Sequence, residues 1–106
     1  MYEIGRAVER EVRRGGFSVL RNLSGTASDA RSTRKPNVPN FADPAARERL
    51  TAGLVITIEP IIAAGSGSNR LANDVWTIRT SDGSLAGHYE HTVVITKGQP
   101  VLLTAA

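Results

Sequence analysis

Two glutamates of this 106-residue chain lie beside apolar runs, where a carboxylate is unusual. Glu59 interrupts the apolar residues 54–62, and Glu90 comes shortly before the apolar residues 93–95. A carboxylate removed from water is costly unless a cation or hydrogen-bond donors compensate its charge. Two carboxylates on neighbouring strands could share a divalent metal ion, because hard cations favour oxygen ligands. The alternative is that each glutamate points outward at a strand end or pairs with an arginine.

Both glutamates belong to a part of the chain that is rich in strand signals. Turn residues separate these segments, for example Ser81-Asp82-Gly83 and Lys97-Gly98. Strands joined by such short turns are expected to pair antiparallel. The segments with β-branched and apolar residues are 54–62, 74–80, 87–96 and 100–104.

The first part of the chain begins with an amphipathic pattern that predicts a helix over residues 2–14. Ile4, Ala7, Val8 and Val12 recur at helical spacing, and Gly15-Gly16 supplies a stop. Residues 17–20 predict a short strand, and residues 22–43 predict a long loop with little apolar periodicity. The predicted fold class is α+β, with one N-terminal helix packed on an antiparallel sheet.

Composition limits the other possibilities. The chain has no cysteine, so disulfides and thiolate metal sites are excluded, and its apolar runs are too short to span a bilayer. The formal net charge is +3. The basic surplus lies before residue 50 and forms either a solvated face or a surface for an anionic partner. It includes Arg13, Arg14, Arg31, Arg34 and Lys35.

Several stretches together carry a family pattern. They are residues 36–40 (PNVPN), 50–60 (LTAGLVITIEP), 76–77 (WT), 80–83 and 89–96 (YEHTVVIT). Their order and spacing resemble those of the type I methionine aminopeptidases along nearly the whole chain. The related prolidases share the Ile-Glu-Pro element, but they usually lack the Glu-His-Thr form found at residues 90–92.

This resemblance implies a fold and a chemistry. Residues 1–106 are expected to be a single partial domain, the C-terminal half of a pita-bread catalytic domain. In the family, two aspartates, one histidine and two glutamates hold two divalent metal ions (Co, Mn, Fe or Zn). Water activated by the metals attacks the peptide bond after an N-terminal methionine. Glu59 and Glu90 match the two glutamates, with Glu90 expected to bridge both ions. Trp76 matches a residue that lines the methionine pocket, although a single tryptophan is about as often part of a core.

Three of the five family ligands have no counterpart in this sequence, so no catalytic set is intact. The two aspartates lie upstream of the part that the chain resembles. Thr26 stands where the family has its ligand histidine, and Thr33 stands where the family has a histidine that contacts substrate. The chain's own histidines, His88 and His91, lie elsewhere in the sequence.

A change of reading frame explains this departure. One permitted set of codons for residues 25–34 is GGC ACG GCA TCG GAC GCG CGC TCC ACG AGA. Read from the last base of the first codon, these bases encode His-Gly-Ile-Gly-Arg-Ala-Leu-His-Glu, which is the family motif. We therefore hypothesise that one base was lost near Gly25 and one gained near Arg34, either in the gene or in the recorded sequence.

Three interpretations of function remain. The first is a metal-dependent methionine aminopeptidase by descent, which would act on nascent peptide N-termini at the ribosome in the cytoplasm, and whose chain is inactive as written. The second is a non-catalytic remnant that self-associates or pairs with a separate N-terminal half. The third is a small basic binder of RNA or the ribosome surface, with Arg13 and Arg14 as contacts. No membrane and no DNA partner is expected.

Overall fold

A computed structural model describes residues 1–28 and 37–105 of the chain. The single helix among them, α1, spans Tyr2–Arg14, as predicted. Gly15 still has right-handed backbone angles, and the helix ends because Gly16 adopts the left-handed region with φ 84°. Ile4, Val8 and Val12 on its apolar face are half-buried, whereas Ala7 is exposed.

Within residues 1–28 and 37–105, ten short strands follow the helix, and their bounds differ from the predicted ones in several places. The strands are β1 (Ser18–Val19), β2 (Gly25–Ser28), β3 (Asn37–Val38), β4 (Val55–Ile58), β5 (Ile61–Ala63), β6 (Asn69–Leu71), β7 (Ile78–Thr80), β8 (Ala86–His88), β9 (His91–Val94) and β10 (Val101–Leu102).

These strands form three antiparallel sheets. The five-stranded sheet has the order β10-β9-β4-β2-β3, and the three-stranded sheet has the order β1-β5-β8. The third is the isolated hairpin β6-β7. Together with α1, this arrangement confirms the predicted α+β class.

The core lies where α1 meets the five-stranded sheet. The sheet contributes Val38, Ile56 and Val93 from three strands, and Val38 and Ile56 are almost completely buried. Ile4 of the helix packs against them from outside the cluster. The other buried members are Met1, Ala46 and Leu54. A core of this size stabilises only a small domain.

Two of the sequence-based expectations are wrong in detail, and one strand of the structure was not expected. Residues 22–43 were expected to be a loop, but they contain β2 and β3, whose pairing partners could not be read from local periodicity. The predicted strand 74–80 is regular only over β7, because Asp74 accepts hydrogen bonds from the main-chain N–H groups of Trp76 and Thr77 and closes a turn. Strand β6 was not predicted.

Interruptions also divide the two predicted strands in which the glutamates were expected to lie. The run 54–62 breaks after β4, where Pro60 has no N–H for a ladder hydrogen bond. The run 87–96 breaks opposite it, between β8 and β9. In the described part of the chain, no helix is long and apolar enough to cross a membrane.

Candidate functional site

The break between the two larger sheets brings Glu59 and Glu90 to opposite positions. Ile58, the last residue of β4, pairs with His91, the first residue of β9. Ile61, the first residue of β5, pairs with His88, the last residue of β8. The number of residues between these two pairs is the same on both segments of the chain, so the register continues across the break. Glu59 therefore stands opposite Glu90, which is the juxtaposition expected of two carboxylates that share a metal ion.

The two carboxylates have different surroundings. The Glu59 side chain is 29% exposed, and its Oε1 lies 3.5 Å from Nδ1 of His88. Glu90 is exposed and has no hydrogen bond or ion pair with any other described residue. The site is thus half-open, with one glutamate beside an imidazole and the other free to accept a ligand.

Sequence reasoning missed His88 as a neighbour of this site. His88 was set aside because it does not occupy a family ligand position. Its place at the end of β8, directly opposite Ile61, brings its ring to Glu59. The signal was present in the sequence as the spacing His88-Tyr89-Glu90, but it becomes informative only when the β5–β8 pairing is known.

Asn40 is a second residue whose contribution was not predicted. It is completely buried, and its Nδ2 donates to the main-chain oxygen of Glu59 at 2.8 Å and to that of Leu23 at 3.4 Å. Because the ladder is interrupted at Pro60, this side chain supplies a donor to the Glu59 carbonyl. Asn40 thereby fixes the backbone from which the Glu59 carboxylate projects.

Thr26, expected at the position of a ligand histidine, lies on a strand that adjoins the one leading to Glu59. Thr26 lies on β2 opposite Asn37, and the next residue, Ala27, pairs with Ile56 of β4. The backbone of Thr26 is therefore beside that of Thr57, which lies two residues before Glu59. Thr33, the position of the substrate histidine, lies outside the described residues.

Trp76, expected to line a substrate pocket, is 86% exposed in the turn between β6 and β7. An apolar hollow of about 480 Å³ lies instead on the side of His88, between the end of α1 and strands β5 and β8. Phe17, Ile62, Leu85 and Tyr89 contribute apolar surface to it. This hollow could receive an apolar side chain beside the Glu59–His88 pair.

The described residues do not form a complete metal site. No group of three or more His, Cys, Asp or Glu side chains able to hold an ion occurs in residues 1–28 and 37–105. Two carboxylates alone leave most of the coordination sphere of a divalent ion to water. The arrangement fits part of a carboxylate-rich metal centre and does not fit a whole one.

Comparisons with known proteins identify relatives of the whole chain, although no family model matches it. The methionine aminopeptidase of Clostridium perfringens is 38% identical over 102 residues, which cover 96% of this chain and 41% of that protein. Methionine aminopeptidase 2 of Bacillus subtilis is 39% identical over 103 residues, again 96% of this chain and 41% of the relative. The chain thus spans about two fifths of the length of the curated relatives it matches.

Solved structures agree with the sequence comparison. The crystal structure of methionine aminopeptidase from Thermotoga maritima matches with a TM-score of 0.83 and 30% identity, covering 96% of this chain and 41% of that one. The enzyme from Rickettsia prowazekii matches with the same TM-score and identity over 95% of this chain. The fold is therefore that of part of a methionine aminopeptidase, consistent with the predicted partial pita-bread domain.

Proposed function

From its relationship by descent to the methionine aminopeptidases, we propose that this chain is the C-terminal half of a type I catalytic domain and carries two of its metal ligands. Glu59 and Glu90 are those ligands. Their opposite positions at the break between the two sheets are the observation that supports the assignment. The chain by itself does not remove N-terminal methionine, because no third protein ligand stands with the two glutamates among the described residues.

Electrostatics support the second part of this proposal. Two carboxylates that hold a divalent ion need further ligands and outer hydrogen bonds to fix its position, and loss of such partners weakens metal affinity strongly. His88 contacts Glu59 at 3.5 Å, but no third His, Cys, Asp or Glu joins the two glutamates in a metal-holding group among the described residues. Metal binding by this chain is therefore expected to be weak.

A combined binding and activity measurement tests the proposal. Isothermal titration with Mn²⁺ should give no stoichiometric binding of two ions, and a peptide that begins with methionine should release none above the metal-only blank. Weak Mn²⁺ binding that remains should fall in Glu59→Gln and Glu90→Gln. Glu48→Gln, a change of an exposed glutamate elsewhere, should leave it unchanged. Tight binding of two ions, or turnover abolished by Glu59→Gln, would contradict the proposed inactivity.

The ligand position at Thr26 has a test of its own. If β2 carries the family's histidine position, Thr26→His should strengthen Co²⁺ binding by about tenfold, because it adds an imidazole ligand near Glu59. Thr51→His, a substitution on an exposed residue far along the chain, serves as the control. Equal effects of the two histidines would show that position 26 has no special relation to the site. Trp76 and Thr33 remain the proposed substrate-side positions.

A second candidate function is pairing with another polypeptide. Leu85 and Tyr89, at the edge of the three-stranded sheet, are 85% and 69% exposed. Large exposed apolar patches are typical of interaction surfaces. A segment equivalent to the rest of a methionine aminopeptidase is one partner that would cover them, and a second copy of this chain is another. A partner equivalent to the rest of the enzyme would supply missing ligands. The substrate would then be the N-terminus of a nascent peptide at the ribosome, in the cytoplasm.

A further inference from the structure

The isolated hairpin β6-β7 carries two arginines at directly opposite positions. Arg70 of β6 pairs in register with Arg79 of β7, and both side chains are exposed. Residues opposite each other in an antiparallel pair project from the same face, with Cβ atoms about 4.5–5.5 Å apart. Two like charges in that arrangement repel each other and destabilise the hairpin unless an anion lies between them.

No carboxylate of the described residues forms an ion pair with either arginine. On α1, by comparison, arginines have acidic partners, as in the ion pairs of Arg13 with Glu9 and Arg14 with Glu11. The side chains of Arg70 and Arg79, by contrast, make no ion pair or hydrogen bond within the described parts of the chain. The hairpin thus presents side by side two guanidinium groups that have no ion-pair partner.

A hollow beside the two arginines has the composition of an anion site. It encloses about 340 Å³, and no carboxylate lines it. Asp82, which lies in sequence between Ser81 and Gly83, accepts hydrogen bonds from the main-chain N–H groups of Ser66 and Ser84 at 2.9 and 3.0 Å and does not line the hollow. The lining residues other than Ala86 are Arg70, Arg79, Thr80, Ser81, Gly83 and Ser84.

A second hollow beside the arginine pair is less favourable for an anion. The two arginines line it together with Asp74. Both oxygens of the Asp74 carboxylate accept hydrogen bonds from Thr77, but its negative charge still faces that hollow. An anion is therefore expected on the side of Ser81 and Gly83.

We propose that Arg70 and Arg79 bind a phosphate group in the hollow lined by Ser81 and Gly83. Guanidinium groups bind phosphate oxygens in a bidentate manner, and each of the two arginines can direct one such pair of N–H groups. A phosphate monoester carries about −1.5 to −2 charge and so offsets both arginines, which a single carboxylate does not. The source of the phosphate is either a free phosphate or monoester, which this match of charge favours, or the backbone of RNA, in which each phosphodiester carries a single charge.

Titration with inorganic phosphate, followed by NMR at constant ionic strength, tests the site. Saturable shifts are expected in residues 79–84, and Arg70→Gln or Arg79→Gln should weaken binding by about tenfold or more. Arg49→Gln removes an exposed arginine outside the hairpin and should have no effect. In the absence of phosphate, Arg70→Gln should not lower the thermal midpoint, because it relieves the repulsion. Non-saturable shifts, or equal affinity in the hairpin variants and Arg49→Gln, would overturn the proposal.

A single-stranded RNA oligonucleotide distinguishes the two sources of phosphate. If it displaces inorganic phosphate, and its own binding weakens in Arg70→Gln, the site binds the RNA backbone. If inorganic phosphate binds and the oligonucleotide does not displace it, the site takes a free phosphate or monoester. Absence of phosphate binding, together with oligonucleotide binding that is equal in the parent chain and Arg70→Gln, would exclude the site.

Discussion

Asn40 is the residue through which the polypeptide fixes the backbone of a proposed metal ligand. Its amide is buried between the main-chain oxygens of Glu59 and Leu23. Asn40→Ala should destabilise the fold by about 1–3 kcal/mol, because it leaves buried acceptors without a donor. Asn40→Asp should cost more, since a buried carboxylate would face two carbonyl oxygens. Chemical denaturation measures both, and an Asn40→Asp variant as stable as the parent would contradict this role.

Val75 occupies a backbone conformation that does not suit its side chain. Its φ is 60°, in the left-handed region, where a β-branched residue is a strained outlier. Such strain costs of order 1–3 kcal/mol. It is maintained by Asp74, which accepts hydrogen bonds from the main-chain N–H groups of Trp76 and Thr77. Val75→Gly should therefore raise stability by about 1 kcal/mol, after allowance for the greater flexibility of glycine. Thermal denaturation checks this, with the smaller gain of Val75→Ala as the comparison.

At the level of elements, Gly25 allows β2 to lie against β4. A Cβ at position 25 would overlap the main-chain oxygen of Thr57, and backbone cannot move aside as a flexible side chain can. Gly25→Ala should destabilise the fold by about 1–3 kcal/mol through overpacking. Gly87 in β8 is a matched control, because a Cβ there would meet nothing within 4 Å. Equal losses in Gly25→Ala and Gly87→Ala, measured by urea denaturation, would show that strand propensity alone is responsible.

Asp82 joins two turns and makes their contact dependent on pH. Hydrogen bonds from Ser66, and then from Ser84, hold the pKa of Asp82 well below its ordinary value of 3.8. Because the pKa is lower in the folded state, this contribution to stability is complete above the unfolded pKa. It is lost as the pH falls through the folded pKa.

The acid unfolding of an asparagine variant measures this contribution. Between about pH 5 and pH 2, the thermal midpoint of the parent chain should fall further than that of Asp82→Asn, which cannot titrate at this position. The two curves should be farthest apart at neutral pH, where the charged form is fully populated. Parallel curves over the whole range would mean that Asp82 does not stabilise the fold through its charge.

At the level of the whole molecule, the chain exposes more surface than a compact monomer of its size. Its accessible area is 7480 Å². About 5700 Å² is expected for a compact monomer of 11.3 kDa. The radius of gyration is 14.6 Å, against about 13 Å for a compact domain of this length. The excess is consistent with surface that a partner covers.

Association is therefore expected in solution. The parent chain should form a species larger than a monomer, because burial of the apolar edge near Leu85 removes hydrocarbon from water. Leu85→Glu should shift it toward the monomer, whereas Leu103→Glu, at an exposed position outside the hollow, should not. Multi-angle light scattering makes the comparison. A parent chain that is monomeric at all concentrations would argue against self-association, and pairing with a different polypeptide would remain.

The hypothesis of a shifted reading frame is also a statement about the whole chain. Residues that flank the altered segment fit the fold closely: Gly25 is buried against β4, and Val38 and Asn40 are completely buried. These flanks behave as in-frame residues of the family fold, which is what a shift confined to residues 26–34 requires. Sequencing of the coding DNA from upstream of Met1 through Lys35 is the direct test.

Local sequence was sufficient to predict α1 and the antiparallel α+β class, and it singled out the two glutamates that are proposed as metal ligands. Helical spacing and a glycine stop act within a few residues, and an isolated carboxylate in an apolar run needs no long-range information to stand out. The positions of Glu59, Glu90 and Trp76 in the family pattern were equally available from the sequence.

Only the tertiary structure decided which residues meet. The pairing of β2 with β3 and β4, the His88 ring beside Glu59 and the Asn40 amide on the Glu59 carbonyl join parts of the chain that are distant in sequence. Such contacts depend on which faces become buried together, and local propensity does not encode them. The register across the break at Pro60, which sets Glu59 opposite Glu90, arises in the same way, because it is fixed by the packing of both sheets.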